Sequence, residues 1–150
     1  MKITIDASVF VAAARPAEPH YLESRAFIPE AQKANIEVIC PTLVLPECGA
    51  AIARRTGNPT LALSVVVMID NWRGLQLIQL TASRARRAAQ IASDQRLRGA
   101  DSVYVVVAEE FATTLVTWDD EMLQRGAALV TTMTPDDWLK AQQTKPNQPK

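Results

Sequence analysis

Histidine, cysteine and a surplus of either charge are what this chain of 150 residues has least of, with one His, two Cys and a formal net charge of +0. The lone His20, between Pro19 and Tyr21, reads as a helix-start residue. It cannot pair with a second imidazole in a zinc site, and no Ser or Cys accompanies it to suggest nucleophilic triad chemistry. Cys40 and Cys48 lack metal-site spacing and a neighbouring His, so they are expected as small buried hydrophobes in a reducing cytosol rather than as a disulfide. With 16 basic and 16 acidic residues, net charge by itself selects neither nucleic acid nor a membrane as partner. The longest largely apolar run, LALSVVVMI, spans nine residues between Thr60 and Asp70, too short to cross a bilayer. The opening KITID has no basic segment leading into a long apolar one, which predicts no signal peptide and a cytoplasmic protein.

What the chain does have is 48% apolar residues, enough for one domain around one core. Short runs rich in Ile, Val and Leu alternate with longer helical stretches, the pattern of an α/β fold with a largely parallel sheet. Five strands are expected, at 2–5, 37–40, 75–80, 114–117 and 128–132. Helices are expected near 20–34, 43–56, 59–73, 82–97, 101–112, 120–125 and 135–142. Asn58-Pro59 and Thr134-Pro135 each place a capping side chain before a proline at the first helical position. Val103, Val105, Val106 and Val107 are β-branched, but Gly99 before them and Glu109-Glu110-Phe111 after them favour a helix. The domain should cover 1–142, with 143–150 a disordered polar tail.

Four acids stand at positions where an apolar core tolerates none. Asp6 closes the first strand, Asp119 follows the fourth, Glu47 lies inside LVLPECGAAIA and Asp101 heads DSVYVVVA. Strand carboxyl ends line the ligand crevice of open α/β sheets. Glu47 shares a helical face with Leu43, Val44, Ala50 and Ala51, and Asp101 shares one with Val105, Ala108 and Ala112, so both point inward. Each alone has an ordinary explanation. Asp6, Asp101 and Asp119 can cap helices, Asp6 that of a helix beginning near Ser8, and Glu47 can pair with a buried Arg. Capping does not require inward aim from four separate elements. Clustered carboxylates raise one another's pKa unless a cation holds them ionised, and Mg²⁺ or Mn²⁺, hard ions that favour oxygen ligands and phosphates, meets that need.

The opening ITIDASVFVAA, the Pro46-Glu47 step, RGADSVYVVVA and LVTWDDEML, in this order across residues 1 to about 140, resemble the PIN-domain ribonucleases, and within them the toxin subunits of VapBC-type toxin-antitoxin pairs. The resemblance implies a PIN-like five-stranded sheet flanked by helices on both faces. It also implies a metal-dependent endoribonuclease acting on single-stranded or loop RNA and held inactive by a cognate antitoxin. Asp6, Glu47, Asp101 and Asp119 match the family's acidic quartet. Asp6, Asp101 and Asp119 would ligate the Mg²⁺ or Mn²⁺, Glu47 would complete the site through water or a second ion, and Thr117 matches a frequent hydroxyl neighbour. Asp119, Asp120 and Glu121 are consecutive, so Asp119 and Asp120 both remain open as the fourth acid. Where family members often carry small residues after the third acid, this chain has Ser102, Val103 and Tyr104.

Residues 49–100 carry eight arginines against Asp70 and Asp94. Arg54, two turns beyond Glu47 on the same face, is the leading candidate for phosphate contact, with Arg98 and Thr117 as further substrate-binding candidates. Arg84, Arg86, Arg87, Arg96 and Arg98 read equally well as the solvated side of a surface helix. The 59–73 helix is apolar almost all round and predicts a second chain, either another copy or an antitoxin segment. Trp118 fits packing better than base stacking, and Trp138 fits an anchor for the last helix. The competing class is a catalytically silent PIN-like module that binds RNA or protein.

Overall fold

Five parallel strands form the centre of the computed structural model, which describes residues 1–33 and 35–144. In chain order the strands are β1 (Lys2–Ile5), β2 (Glu37–Pro41), β3 (Leu75–Ile78), β4 (Thr114–Val116) and β5 (Thr132–Met133), arranged β3-β2-β1-β4-β5. Ile3, Thr4 and Ile5 are all fully buried although successive side chains of a strand point to opposite faces. Both faces of the sheet are therefore covered, which is why these strands read as continuous apolar runs.

The cover comes from α1 (Ala7–Ala12), α2 (Tyr21–Ala31), α3 (Val44–Thr56), α4 (Pro59–Asp70), α5 (Ala82–Gln95), α6 (Gly99–Phe111), α7 (Asp120–Arg125) and α8 (Pro135–Gln143). The valine-rich 103–107 segment is helical as expected. Buried from Asp101 to Ala108, α6 packs on β1, β2 and β4. Asn58, Thr81 and Thr134 accept hydrogen bonds from first-turn backbone N–H groups of α4, α5 and α8. Each such cap stabilises its helix by about 1 kcal/mol. Trp138 anchors α8 edge-on against Phe27 of α2, with ring centroids 5.1 Å apart.

Several boundaries differ from expectation. Helix α1 enters the expectations only as the helix near Ser8 that Asp6 could cap, because six residues carry too little periodicity to show themselves. The fifth strand lies at Thr132–Met133 and not at 128–132. Leu129 and Val130 both donate their N–H groups to the Gly126 carbonyl, closing a turn where the strand was expected. Thr131 and Met133 instead accept from Leu115 and Thr117. Strand β3 stops at Ile78, leaving Leu80 half exposed. Gln143, placed in the expected tail, belongs to α8, and Thr144 caps it. Residues 145–150, and Ala34 at the expected end of the 20–34 helix, lie outside the described residues.

Candidate functional site

β1 leads to β2 on one side of the sheet, and β4 lies against it on the other, so the strand order reverses between β1 and β4. Ligands of open α/β sheets bind at such a reversal, beyond the carboxyl ends of the strands. Asp6 and Thr117 stand there side by side. The Asp6 N–H donates to Val116 O (3.0 Å), and Asp6 Oδ2 accepts from Thr117 Oγ1 (2.9 Å) and from the Ser8 N–H (3.3 Å). Thr117 Oγ1 also accepts the Asp119 N–H (3.0 Å), while Ser8 Oγ accepts the Trp118 N–H (3.0 Å). These bonds lace the two strand ends together and fix the acids at their tips.

Arg98, just before α6, joins the third and fourth acids. Its Nε donates to Asp101 Oδ2 (2.9 Å) and its Nη2 to Asp119 Oδ2 (2.7 Å), while Asp119 Oδ1 caps α7 through the Met122 N–H (2.9 Å). Glu47 enters from α3, where its Oε2 accepts from Tyr104 Oη (2.5 Å). The ordinary roles weighed from sequence are thus partly present. Asp6 and Asp119 cap helices, but Asp101 caps nothing, since Arg98 occupies the cap position of α6, and Glu47 pairs with a tyrosine instead of a buried arginine.

All four acids, Arg54 and Arg98 line one cleft of about 660 Å³. Desolvation pushes the carboxyls of Asp6, Glu47 and Asp101 above their usual range, and the acids reinforce one another: Asp119 acts on Asp6, Asp6 and Asp101 on Glu47, and Asp119 and Asp6 on Asp101. Opposing this, one guanidinium, that of Arg98, bonds Asp101 and Asp119 and draws Glu47 down at longer range. Among the described residues, no three Asp, Glu, His or Cys side chains are spaced, as they stand, to hold an ion. The donor set nevertheless fits a hard divalent cation: every potential ligand is a carboxylate oxygen, three are partly or wholly desolvated, and negative charge exceeds the positive charge set against it.

The remaining candidates fall in different places. Arg54 is exposed on the cleft rim. Thr117 is fully buried, with its hydroxyl on Asp6. Asp120 is exposed, and it is Asp119 that lines the cleft. Arg84 and Arg87 are engaged by Glu110 and Glu109, tying α5 to α6 where solvated side chains were the alternative weighed. Asp70 and Asp94 are exposed. Both cysteines are buried free thiols, and burial pushes that of Cys40 up to about 12.

Three contributors escaped the sequence. Ser8 carries only a weak signal, its position two residues after a strand-ending Asp. Tyr104 stands where family members often carry small residues, and nothing local shows that its hydroxyl reaches α3. The third is a ring pair: His20 lies parallel to Trp118, with centroids 4.0 Å and planes 8° apart, and the Trp118 indole N–H donates to Ser24 Oγ (2.8 Å).

Among solved structures, the chain is similar to the Mycobacterium tuberculosis toxin VapC20, described as cleaving the sarcin-ricin loop. Identity is 18%, the TM-score is 0.72, and the match covers 89% of this chain and 99% of that one. VapBC2 of Rickettsia felis, bound to a fragment of its promoter DNA, matches at 14% identity and TM-score 0.67, covering 89% and 98%. PAE2754 of Pyrobaculum aerophilum matches at 21% and 0.65, covering 97% and 100%. At these identities the likeness is one of fold. Comparison with curated proteins gives no match. The PIN domain family model matches residues 3–129, a span that begins in β1 and contains all four acids, and the chain therefore belongs to the PIN domain family.

Proposed function

We propose that this chain is a Mg²⁺- or Mn²⁺-dependent endoribonuclease that hydrolyses phosphodiester bonds in single-stranded or loop RNA. The observation carrying this reading is the meeting of four carboxylates from four separate elements in one cleft, set against one guanidinium in their midst. The structured loop named for VapC20 supports a loop in folded RNA as the substrate class. Asp6, Asp101 and Asp119 would hold the ion. When bound, it supplies a water of lowered pKa and neutralises charge that builds on the phosphoryl oxygens.

The chain's own residues divide the rest. Glu47, held by the Tyr104 hydroxyl and raised in proton affinity by burial, orients the attacking water and takes its proton. Thr117 acts on the substrate indirectly, by fixing the rotamer of Asp6. Arg98, with 69% of its side chain exposed, is able to leave Asp101 and Asp119 for a phosphate oxygen. Arg54 offers a second guanidinium along the strand's path. The test is cleavage of a labelled RNA hairpin by purified protein with Mn²⁺. Cleavage should disappear with EDTA and return with excess Mn²⁺. Hairpin binding without cleavage under any divalent ion would favour the silent-module reading, to which the Arg98 pairing of Asp101 and Asp119 lends its support.

The biological role proposed is the toxin of a type II toxin-antitoxin pair, acting in the cytoplasm and inhibited by a cognate antitoxin. Support comes from the VapBC2 complex and from FitAcB of Neisseria gonorrhoeae among structures of this fold. No described helix is long and apolar enough to cross a membrane. We further propose a homodimer through α4, which buries Ala62 and Ile69 but leaves Leu63 62%, Val67 56% and Met68 37% exposed. Val67→Glu is expected to convert a dimer into a folded monomer in light scattering. A wild-type protein already monomeric at high concentration would dispose of the dimer.

A further inference from the structure

The cleft wall beside Asp119 carries two rings that the acid chemistry leaves unused. Trp118 is held at main chain and ring separately: its backbone N–H donates to Ser8 Oγ (3.0 Å), and its indole N–H, which sets the ring's orientation, to Ser24 Oγ (2.8 Å), Ser24 being fully buried. His20 covers one indole face, nearly parallel at 4.0 Å. It does so in a left-handed backbone conformation (φ 60°), at the start of α2, without giving that helix a side-chain cap. His20 is also exposed, so the hydrophobic core does not explain a conformation that L-residues adopt at a cost. Both rings line the cleft that holds the acids, and Trp118 is bonded in sequence to Asp119.

We propose that the His20–Trp118 stack is a nucleobase platform, with the ring face of His20 turned away from Trp118 receiving one unpaired base of the RNA whose phosphodiester lies at the acids; this rests on the nuclease reading above. Unpaired bases in loops are recognised by stacking on aromatic and histidine side chains, since splayed bases offer their π-faces. A platform of this kind positions the strand while tolerating more than one base. Its order matters: the indole is oriented by its bond to Ser24 and His20 already lies stacked on it, so the pair loses little freedom when a base settles on it.

The experiment uses full-length Asp6→Asn protein, which binds without cutting, and a labelled RNA hairpin together with derivatives carrying a single abasic nucleotide at each loop position. One abasic position is expected to weaken binding about 5- to 150-fold. In the same background, His20→Asn tolerates the left-handed backbone but removes the ring, and should erase that penalty. His20→Phe, which keeps a ring, should preserve it. Circular dichroism checks that each variant is folded. Equal affinity for every abasic derivative, or a penalty unchanged by His20→Asn, overturns the platform. If wild-type protein cuts the hairpin while these results appear, only the platform is lost. A hairpin neither bound nor cut overturns the nuclease reading and the platform together.

Discussion

Asp6→Asn is expected to abolish RNA cleavage while making the metal-free protein more stable. The two effects share one cause. Asp6 is the most deeply buried of the four acids, and the groups that act on it are hydroxyls, a backbone N–H and another carboxylate, with no cation among them. Removing its charge takes away a ligand and part of the field that stabilises charge developing on the phosphoryl group, a loss of roughly 10²–10³-fold or more in rate. Asparagine keeps the shape, still accepts from Ser8 and Thr117, and caps a helix as well as aspartate does. What the fold sheds is an unmatched buried charge. The thermal midpoint at pH 8 without divalent ions should therefore rise, by about 2–4 °C for each kcal/mol regained. Gel assays and thermal melts read the two effects separately. A variant that cleaves at the wild-type rate would remove Asp6 from the catalytic centre, and one less stable than wild type would show that its charge is already compensated.

Added Mn²⁺ is expected to raise the unfolding temperature of wild-type protein, and to raise it more as pH increases. Asp6, Glu47 and Asp101 all hold protons more tightly in the fold than the ordinary carboxylate values of 3.8, 4.5 and 3.8. Between those values and the raised folded ones, the native state binds more protons than the unfolded chain. The contribution of these groups to stability therefore falls as pH rises through that window, and stays low above it. A divalent ion reverses the loss by taking the protons' place, so its effect is small below the window, where it must displace them, and full above it. An ion that binds only the native state stabilises by about 2.7 kcal/mol at a hundred times its Kd. For a chain of this size that corresponds to roughly 5–11 °C. Calorimetry at several pH values checks this. A Mn²⁺ shift that did not depend on pH would mean that the ion sits away from these carboxylates, and no shift at any pH would leave the cleft without a metal.

The four acids were legible because each stands at a recognisable place in a local pattern, at a strand end or on the inward face of a helix. Their partners were not. Tyr104 reaches Glu47 across 57 positions and Thr117 reaches Asp6 across 111, and no local periodicity encodes contacts of that range. Arg98 shows the same limit from the other side. It was expected as a contact for phosphate, and its position just before α6 places it between two of the acids it was to serve beside. Thr117, expected at the substrate, is sealed inside by the closeness of β1 to β4. The last strand was misplaced because the chain closes a turn on the Gly126 carbonyl where the apolar pattern continues.

The order of apolar and polar residues by itself determined the layered α/β architecture and the inward aim of Glu47 and Asp101, because burial of a face needs only a repeat of two or of 3.6 residues, and the residues flanking the valine-rich segment determined its helical state. Strand order, the bridging of Asp101 and Asp119 by one guanidinium, the grip of Tyr104 on Glu47 and the stacking of His20 on Trp118 were decided only by the tertiary structure. They depend on which elements become neighbours, and that is fixed when the sheet assembles and its two faces are covered.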